Sequence, residues 1–137
     1  SEPSTRPPLA ILLVEDLEDN RDLVALFLKG MPYQLDMAEN GAAGVQKFQS
    51  GTYGLVLMDI QMPVMDGYQA TSTIRAWERS QGHEATPIIA LTANAFKDDI
   101  DKSLAAGCTA HLTKPIKKQT LLEAILTHST LRVGRAA

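Results

Sequence analysis

Residues 54–67 read GLVLMDIQMPVMDG, and the opening of that stretch decides the fold. Leu55, Val56, Leu57 and Met58 are consecutive apolar residues, with Gly54 before them and Asp59 after. An amphipathic helix would break such a run every few residues, and a strand with one wet face would alternate. A short unbroken run bounded by turn and charge signals is the pattern of a strand buried on both faces. Taken as Gly54–Met58, it has two counterparts, Leu9–Val14 before it and Pro87–Leu91 after it. Tyr33–Ala38 is mixed in polarity, which suits a sheet edge, and Thr109–Thr113 is a weaker fifth candidate.

Between these runs the spacing becomes helical. Apolar stripes are expected at Leu23/Leu26/Phe27, Val45/Phe48, Ala70/Ile74/Trp77, Phe96/Ile100/Leu104 and Leu121/Ile125 with Leu122/Leu126. Asn40-Gly41 and Asp66-Gly67 mark turns just ahead of helices, and Gly107 sits where a helix should end. Five strands alternating with five helices predict an α/β fold, a doubly wound five-stranded parallel sheet with helices on both faces. Residues 1–8, rich in Pro, Ser and Thr, read as a linker, residues 9–130 as the domain, and residues 131–137 as a C-terminal tail.

Composition bounds the rest. A chain of 137 residues fits one domain, and 45% hydrophobic with 21% charged residues is ordinary for a soluble globular protein. The single cysteine, Cys108, excludes a disulfide framework and a cysteine-based metal pair. No apolar stretch approaches a membrane span and no signal-peptide pattern precedes the first apolar run, so a cytoplasmic setting without membrane contact is expected. A net charge of −3 gives no electrostatic reason to expect nucleic-acid binding.

In doubly wound sheets ligands bind beyond the carboxyl ends of the strands. The predicted strands end there in Glu15-Asp16, Asp59, Thr92 and Lys114. Any one of these is most simply a solvated strand end; their joint arrival at one crevice is the signal. Three carboxylates a few ångströms apart would drive one toward protonation unless a cation intervenes. Mg²⁺ suits such a site because it binds through a few carboxylates and keeps waters that a phosphate oxygen can replace. Asp16 and Asp59 are expected as direct ligands, Glu15 through a water, and the Gln61 backbone carbonyl as one more oxygen. Lys114 and Thr92 then fit a phosphoryl group, the first as a mobile point charge and the second as a hydrogen-bond donor. Asp59 is the nucleophile that would form an acyl phosphate. Ala93 and Gly67, both small, are expected to leave a path for the phosphodonor.

The stretches LLVEDLEDNR, LVLMDIQMPVMDGYQA, IIALTANA and HLTKPIK resemble response-regulator receiver domains, and the likeness covers roughly Leu9 to His128. It implies a flavodoxin-like strand order 2-1-3-4-5, Mg²⁺ dependence and phosphorylation at Asp59 by a phosphohistidine on a histidine kinase or a histidine phosphotransfer domain. It also implies a cis Lys114-Pro115 bond. Glu15 and Asp16 take the place of the family's acidic pair, and Thr92 and Lys114 that of its hydroxyl and ammonium. The implied switch moves Thr92 toward the phosphoryl group and turns an aromatic side chain inward, changing the face made by the fourth helix, fifth strand and fifth helix. That aromatic position is occupied here by His111, where Tyr or Phe is usual. An imidazole is either a tolerated substitute or the root of a weakened or pH-sensitive switch. Gln61 and Asn94, two residues after Asp59 and Thr92, correspond to positions that tune phosphoryl lifetime.

Other residues read plainly. His83 and His128 lack metal-ligand spacing, Trp77 is expected in the core, and Met62 and Met65 as packing that holds the loop after Asp59. A haloacid-dehalogenase-type phosphatase also combines Asp, Thr/Ser, Lys and Mg²⁺. It requires a second Asp where this chain has Gln61, so turnover of an external ester is not expected. A degenerate receiver that only binds a partner is the alternative, disfavoured by the complete set Glu15, Asp16, Asp59, Thr92 and Lys114. The wording of the motifs looks most like receivers attached to hybrid histidine kinases, with a free-standing regulator as the other possibility.

Overall fold

A computed structural model describes residues 8–136, with side chains as far as Ser129. The linker expected over residues 1–8 therefore lies, except for Pro8, outside the described residues. The elements follow in strict alternation: β1 (Leu9–Val14), α1 (Glu18–Leu28), β2 (Tyr33–Ala38), α2 (Gly41–Ser50), β3 (Leu55–Asp59), α3 (Gly67–Gln81), β4 (Ile88–Thr92), α4 (Lys97–Ala106), β5 (Ala110–Thr113) and α5 (Lys118–Ala136). The five strands form one parallel sheet in the order β2-β1-β3-β4-β5. The three unbroken apolar runs are its centre, and the mixed Tyr33–Ala38 is an edge, as the sequence predicts. β3 and β4 begin and end one residue later than expected, because the ladder extends through Asp59, opposite Leu91.

Side chains on the two faces of the sheet build two cores. One packs Leu12, Val14, Val56, Met58, Ile88 and Ala90 against α2 and α3, including Phe48, Ala70 and Ile74. The other packs Ile11, Leu13, Leu55, Leu57, Ile89 and Leu91 against α1 and α5, including Val24, Leu28, Leu121 and Ile125. Trp77 and Met65 lean against the first core, and Met62 is buried within it. His83 stands edge-on to Trp77 at 5.1 Å between ring centroids, a packing role. Asn40 caps α2 by accepting from the Ala43 amide, and Asp66 caps α3 in a reciprocal box with Gln69. Gly107 ends α4 at φ 113°, a left-handed conformation that glycine adopts without strain.

Three predicted stripes face differently. In α1 the buried line is Val24 and Leu28, while Leu23 and Leu26 are exposed. Residues 23–28 are apolar throughout, so their periodicity fits two adjacent faces equally well. In α4 the buried residue is Ser103, and Phe96 and Leu104 are exposed. α4 lies beside the four-residue edge strand β5, which offers little sheet to cover. In α5, Leu121 and Ile125 are buried but Leu126 is exposed. The helix also keeps its helical backbone to Ala136, through the stretch expected as a tail at residues 131–137. The Leu, Arg, Val and Ala of that stretch permit helix, and its one glycine costs only about 1 kcal/mol.

Candidate functional site

The carboxyl edge of the sheet brings the predicted residues together. β1 runs straight into Glu15, whose amide donates to the Ala38 carbonyl at 3.0 Å and so continues the ladder. Asp59 is the last residue of β3 and is 1% exposed, as is Glu15. The Lys114 amide donates to the Thr92 carbonyl at 2.7 Å, extending β5 beside β4. From there the Lys114 ammonium donates to Asp59 Oδ1 at 3.0 Å and to Glu15 Oε1 at 3.2 Å. The following Lys114-Pro115 bond is cis, as the resemblance implies. One carboxylate oxygen from each of Glu15, Asp16 and Asp59 lies within 4.8 Å of the others, an arrangement able to hold a metal ion.

Burial and charge set the state of Asp59. Burial raises its carboxyl to about 7; the hydrogen bond from Lys114 works against this, and the neighbouring Glu15 charge adds to it. Burial by itself would lower the Lys114 ammonium, but hydrogen bonding and attraction to Asp59 and Glu15 outweigh it and leave Lys114 raised. With one ammonium among three carboxylates, negative charge is in excess and a divalent cation fits the donor set.

The members of the acidic group sit at different depths. Glu15 is the deeply buried member and is tied to Lys114, to the Leu17 amide and to Asn20 Nδ2, both of these at 3.3 Å, whereas Asp16 is half-buried. Asn20 and Arg21, not singled out in the sequence, brace this corner. Arg21 donates to the Glu15 carbonyl at 2.9 Å. Both fall on the first turn of α1, where a Glu-Asp-Asn-Arg run was the only available signal.

Around Asp59 the loops are closely fitted. The Gln61 amide donates to Asp59 Oδ1 at 3.4 Å, and the Gln61 side chain is exposed. Gln61 and Thr92 line one open cavity of about 450 Å³ with Ile60, Met62, Asp66, Tyr68 and Asp99. Thr92 is buried, and its hydroxyl donates to the Asn94 carbonyl at 3.0 Å while accepting from the Asn94 amide at 3.2 Å. His111 is half-buried on β5, opposite Ala90 in the ladder. Gly67 is not a passage: it is buried, and a Cβ there would collide with the Asp59 carbonyl and with Ile60. Ala93 is exposed, in keeping with an open approach.

The pattern of the response regulator receiver domain matches residues 11–126. The chain belongs to that family. This receiver domain is 39% identical over 136 residues to the sensor protein GacS of Pseudomonas syringae pv. syringae, covering 96% of this chain and 15% of GacS. The domain therefore spans only a small part of the curated relatives it matches. Among solved structures it resembles the receiver domain of sensor histidine kinase PA1611 from Pseudomonas aeruginosa PAO1, with 36% identity and a TM-score of 0.80 over 90% of this chain and 98% of that one. That protein carries a magnesium ion in its active-site cleft. It also resembles the receiver domain of Ssk1 from Saccharomyces cerevisiae, solved with the histidine phosphotransfer protein Ypd1, with 32% identity, a TM-score of 0.87 and 92% coverage of both chains. It is thus a receiver domain of the two-component and phosphorelay type, and no described helix is long and apolar enough to cross a membrane.

Proposed function

We propose that this receiver domain accepts a phosphoryl group on Asp59 from a phosphohistidine, with Lys114, Thr92 and the acidic pair Glu15 and Asp16 as the supporting site. The observation that carries the reading is the Lys114 ammonium, donating at once to Asp59 and Glu15 from a strand end far away in sequence. In the transfer the N–P bond of phosphohistidine breaks, an O–P bond to Asp59 forms, and the imidazole keeps the nitrogen electron pair. Lys114 is placed to follow the growing charge on a phosphoryl oxygen. Thr92 is the hydroxyl that would donate to another once it leaves Asn94. Gln61 and Asn94 border the approach of water and set how long the acyl phosphate lasts.

Glu15, Asp16, Asp59 and the Gln61 carbonyl would hold Mg²⁺, which when bound neutralises the acidic cluster and the incoming phosphate oxygens. The donor set supports this, and PA1611 holds magnesium in the corresponding cleft. The phosphodonor is a histidine kinase or histidine phosphotransfer protein, a reading that rests on the Ssk1–Ypd1 pairing. The parent protein is a hybrid histidine kinase with this domain in the cytoplasm; the likeness to the sensor protein GacS and to the sensor histidine kinase PA1611 supports the kinase part of that reading. Output passes through Thr92 and His111 to the face of α4, β5 and α5. Because the product is the modified domain itself, the site is not that of a turnover enzyme on an external substrate. Partner binding alone is less well supported, since it gives the Lys114–Asp59–Glu15 constellation no purpose.

Intact-mass measurement after incubation with Mg²⁺ and acetyl phosphate tests the reading. Wild type is expected to gain one phosphoryl group and Asp59→Asn none. No gain by wild type defeats the phosphoacceptor reading; equal gain by both defeats the choice of Asp59.

A further inference from the structure

The loop between β3 and α3 holds a backbone conformation ill suited to its central residue. Val64 has φ 71°, and the Met65 amide donates to the Pro63 carbonyl at 2.8 Å. A bond between residues two apart, closed around a positive φ, is the strained form of the three-residue γ-turn. Glycine would adopt that φ freely, whereas a β-branched residue there is an outlier that persists only when its surroundings impose it. Those surroundings are plain. Met62 is buried in the core, Met65 packs against it, Asp66 caps α3, and the Gly67 amide returns to the Ile60 carbonyl at 2.9 Å. Val64 is the one non-glycine residue with positive φ among the described residues.

The Val64 side chain itself gains nothing from this conformation. The Val64 side chain is 102% exposed, so it packs on no neighbour. Two other large apolar side chains, Leu17 and Phe96, stand exposed in the loops that leave β1 and β4. The polar site at the carboxyl edge is thus bordered by loops that each turn an apolar side chain to solvent.

We propose that Val64 is a specificity-determining residue for the protein phosphodonor, held outward by its γ-turn as a rigid apolar contact that the donor covers when it presents phosphohistidine to Asp59. This rests on the phosphoacceptor reading above. The occupant is a protein with apolar surface around its phosphohistidine; a small donor has no surface to lay on Val64. A contact already held in place loses little freedom on docking, and covering one exposed valine corresponds to about tenfold in affinity. Val64 takes part in no bond that breaks or forms.

The test compares wild type, Val64→Gly and Val64→Thr with two donors, phosphorylated Ypd1 and acetyl phosphate. Val64→Gly removes strain and contact together; Val64→Thr keeps the branched shape but makes it polar. For phospho-Ypd1, KM is expected to rise about tenfold in both variants with kcat held, relative to any change in acetyl phosphate labelling. Val64→Gly is also expected to unfold at a higher urea concentration than wild type, separating loss of contact from loss of fold. An unaltered KM in both variants overturns the proposal. So does a parallel loss with acetyl phosphate, which would put Val64 in the geometry of the site. Failure of phospho-Ypd1 to label a wild type that acetyl phosphate does label overturns it as well. Failure of both donors instead defeats the phosphoacceptor reading on which it rests.

Discussion

Replacing Asp59 with Asn removes one negative charge from a cluster in which three carboxylates share the Lys114 ammonium. Burial raises the Asp59 carboxyl from 3.8 to about 7, so the folded protein holds this proton more tightly than the unfolded chain. Between those values the folded form carries the extra proton, and stability falls as pH rises. The contribution of this proton is fully present below about pH 4 and lost above about pH 7. Taken whole, a shift of that size is worth about 4 kcal/mol. Because Asp59 titrates together with Glu15 and Lys114, only part of that belongs to Asp59, on the order of 2 kcal/mol. Asp59→Asn is therefore expected to melt about 6 °C above wild type at pH 8 without divalent cation, and together with it at pH 4. Millimolar Mg²⁺ at pH 8 is expected to raise the wild-type Tm and narrow the gap, because the cation binds only the folded cluster. Thermal unfolding followed by circular dichroism at four pH values, with and without Mg²⁺, measures this. Parallel melting curves for the two proteins across the range would refute the charge-excess reasoning, and an equal Mg²⁺ shift in both would refute Asp59 as a ligand.

Four further outcomes are expected. Lys114→Met leaves the carboxylates without their ammonium, lowering stability at pH 8 by about 2–3 kcal/mol by urea titration and slowing acetyl phosphate labelling at least tenfold. Glu78 is buried, accepts from Arg75 at 2.7 Å and from the Thr86 amide at 2.8 Å, so Glu78→Ala should cost about 3 kcal/mol in the same titration while leaving labelling of the folded protein intact. Gly67→Ala drives a methyl into the Asp59 carbonyl and should cost about 2 kcal/mol and impair labelling, which intact mass and urea unfolding report together. Gln61→Ala and Asn94→Ala should change the half-life of the phosphorylated form, measured by mass after donor removal, without abolishing its formation.

How much of this was legible in the sequence depended on how local the cause was. β1, β3 and β4 were readable because burial on both faces leaves an unbroken apolar run, and the topology then carried Asp59, Thr92 and Lys114 to one edge. The depth of each carboxylate within that edge was not readable. Glu15 is buried, with Lys114 from 99 residues away donating to it, and Asp16 is only half-buried. Helix faces failed where composition gave no contrast, as in the wholly apolar stretch 23–28, or where the neighbour was too small to cover the stripe, as for α4 beside β5. The strain at Val64 left no trace in the residue pattern, since it arises from anchors on both sides of the turn. Gly67 was read as open space, yet its missing side chain is what lets the start of α3 lie against Asp59.

The pairing of Thr92 with Asn94 has a consequence for how sharply the domain can respond. Its hydroxyl already has an acceptor in the resting chain, so a phosphoryl oxygen on Asp59 offers an exchange of partners and not a new bond. Such an exchange leaves a net difference on the order of 1 kcal/mol, a few-fold in population. On the proposed reading, resting and engaged forms of this turn therefore come near balance only once Asp59 carries its phosphoryl group. On that reading the set-point of the relay lies in the short stretch from Thr92 to Asn94, so one substitution there would move the gain of the whole domain together with the lifetime of its acyl phosphate.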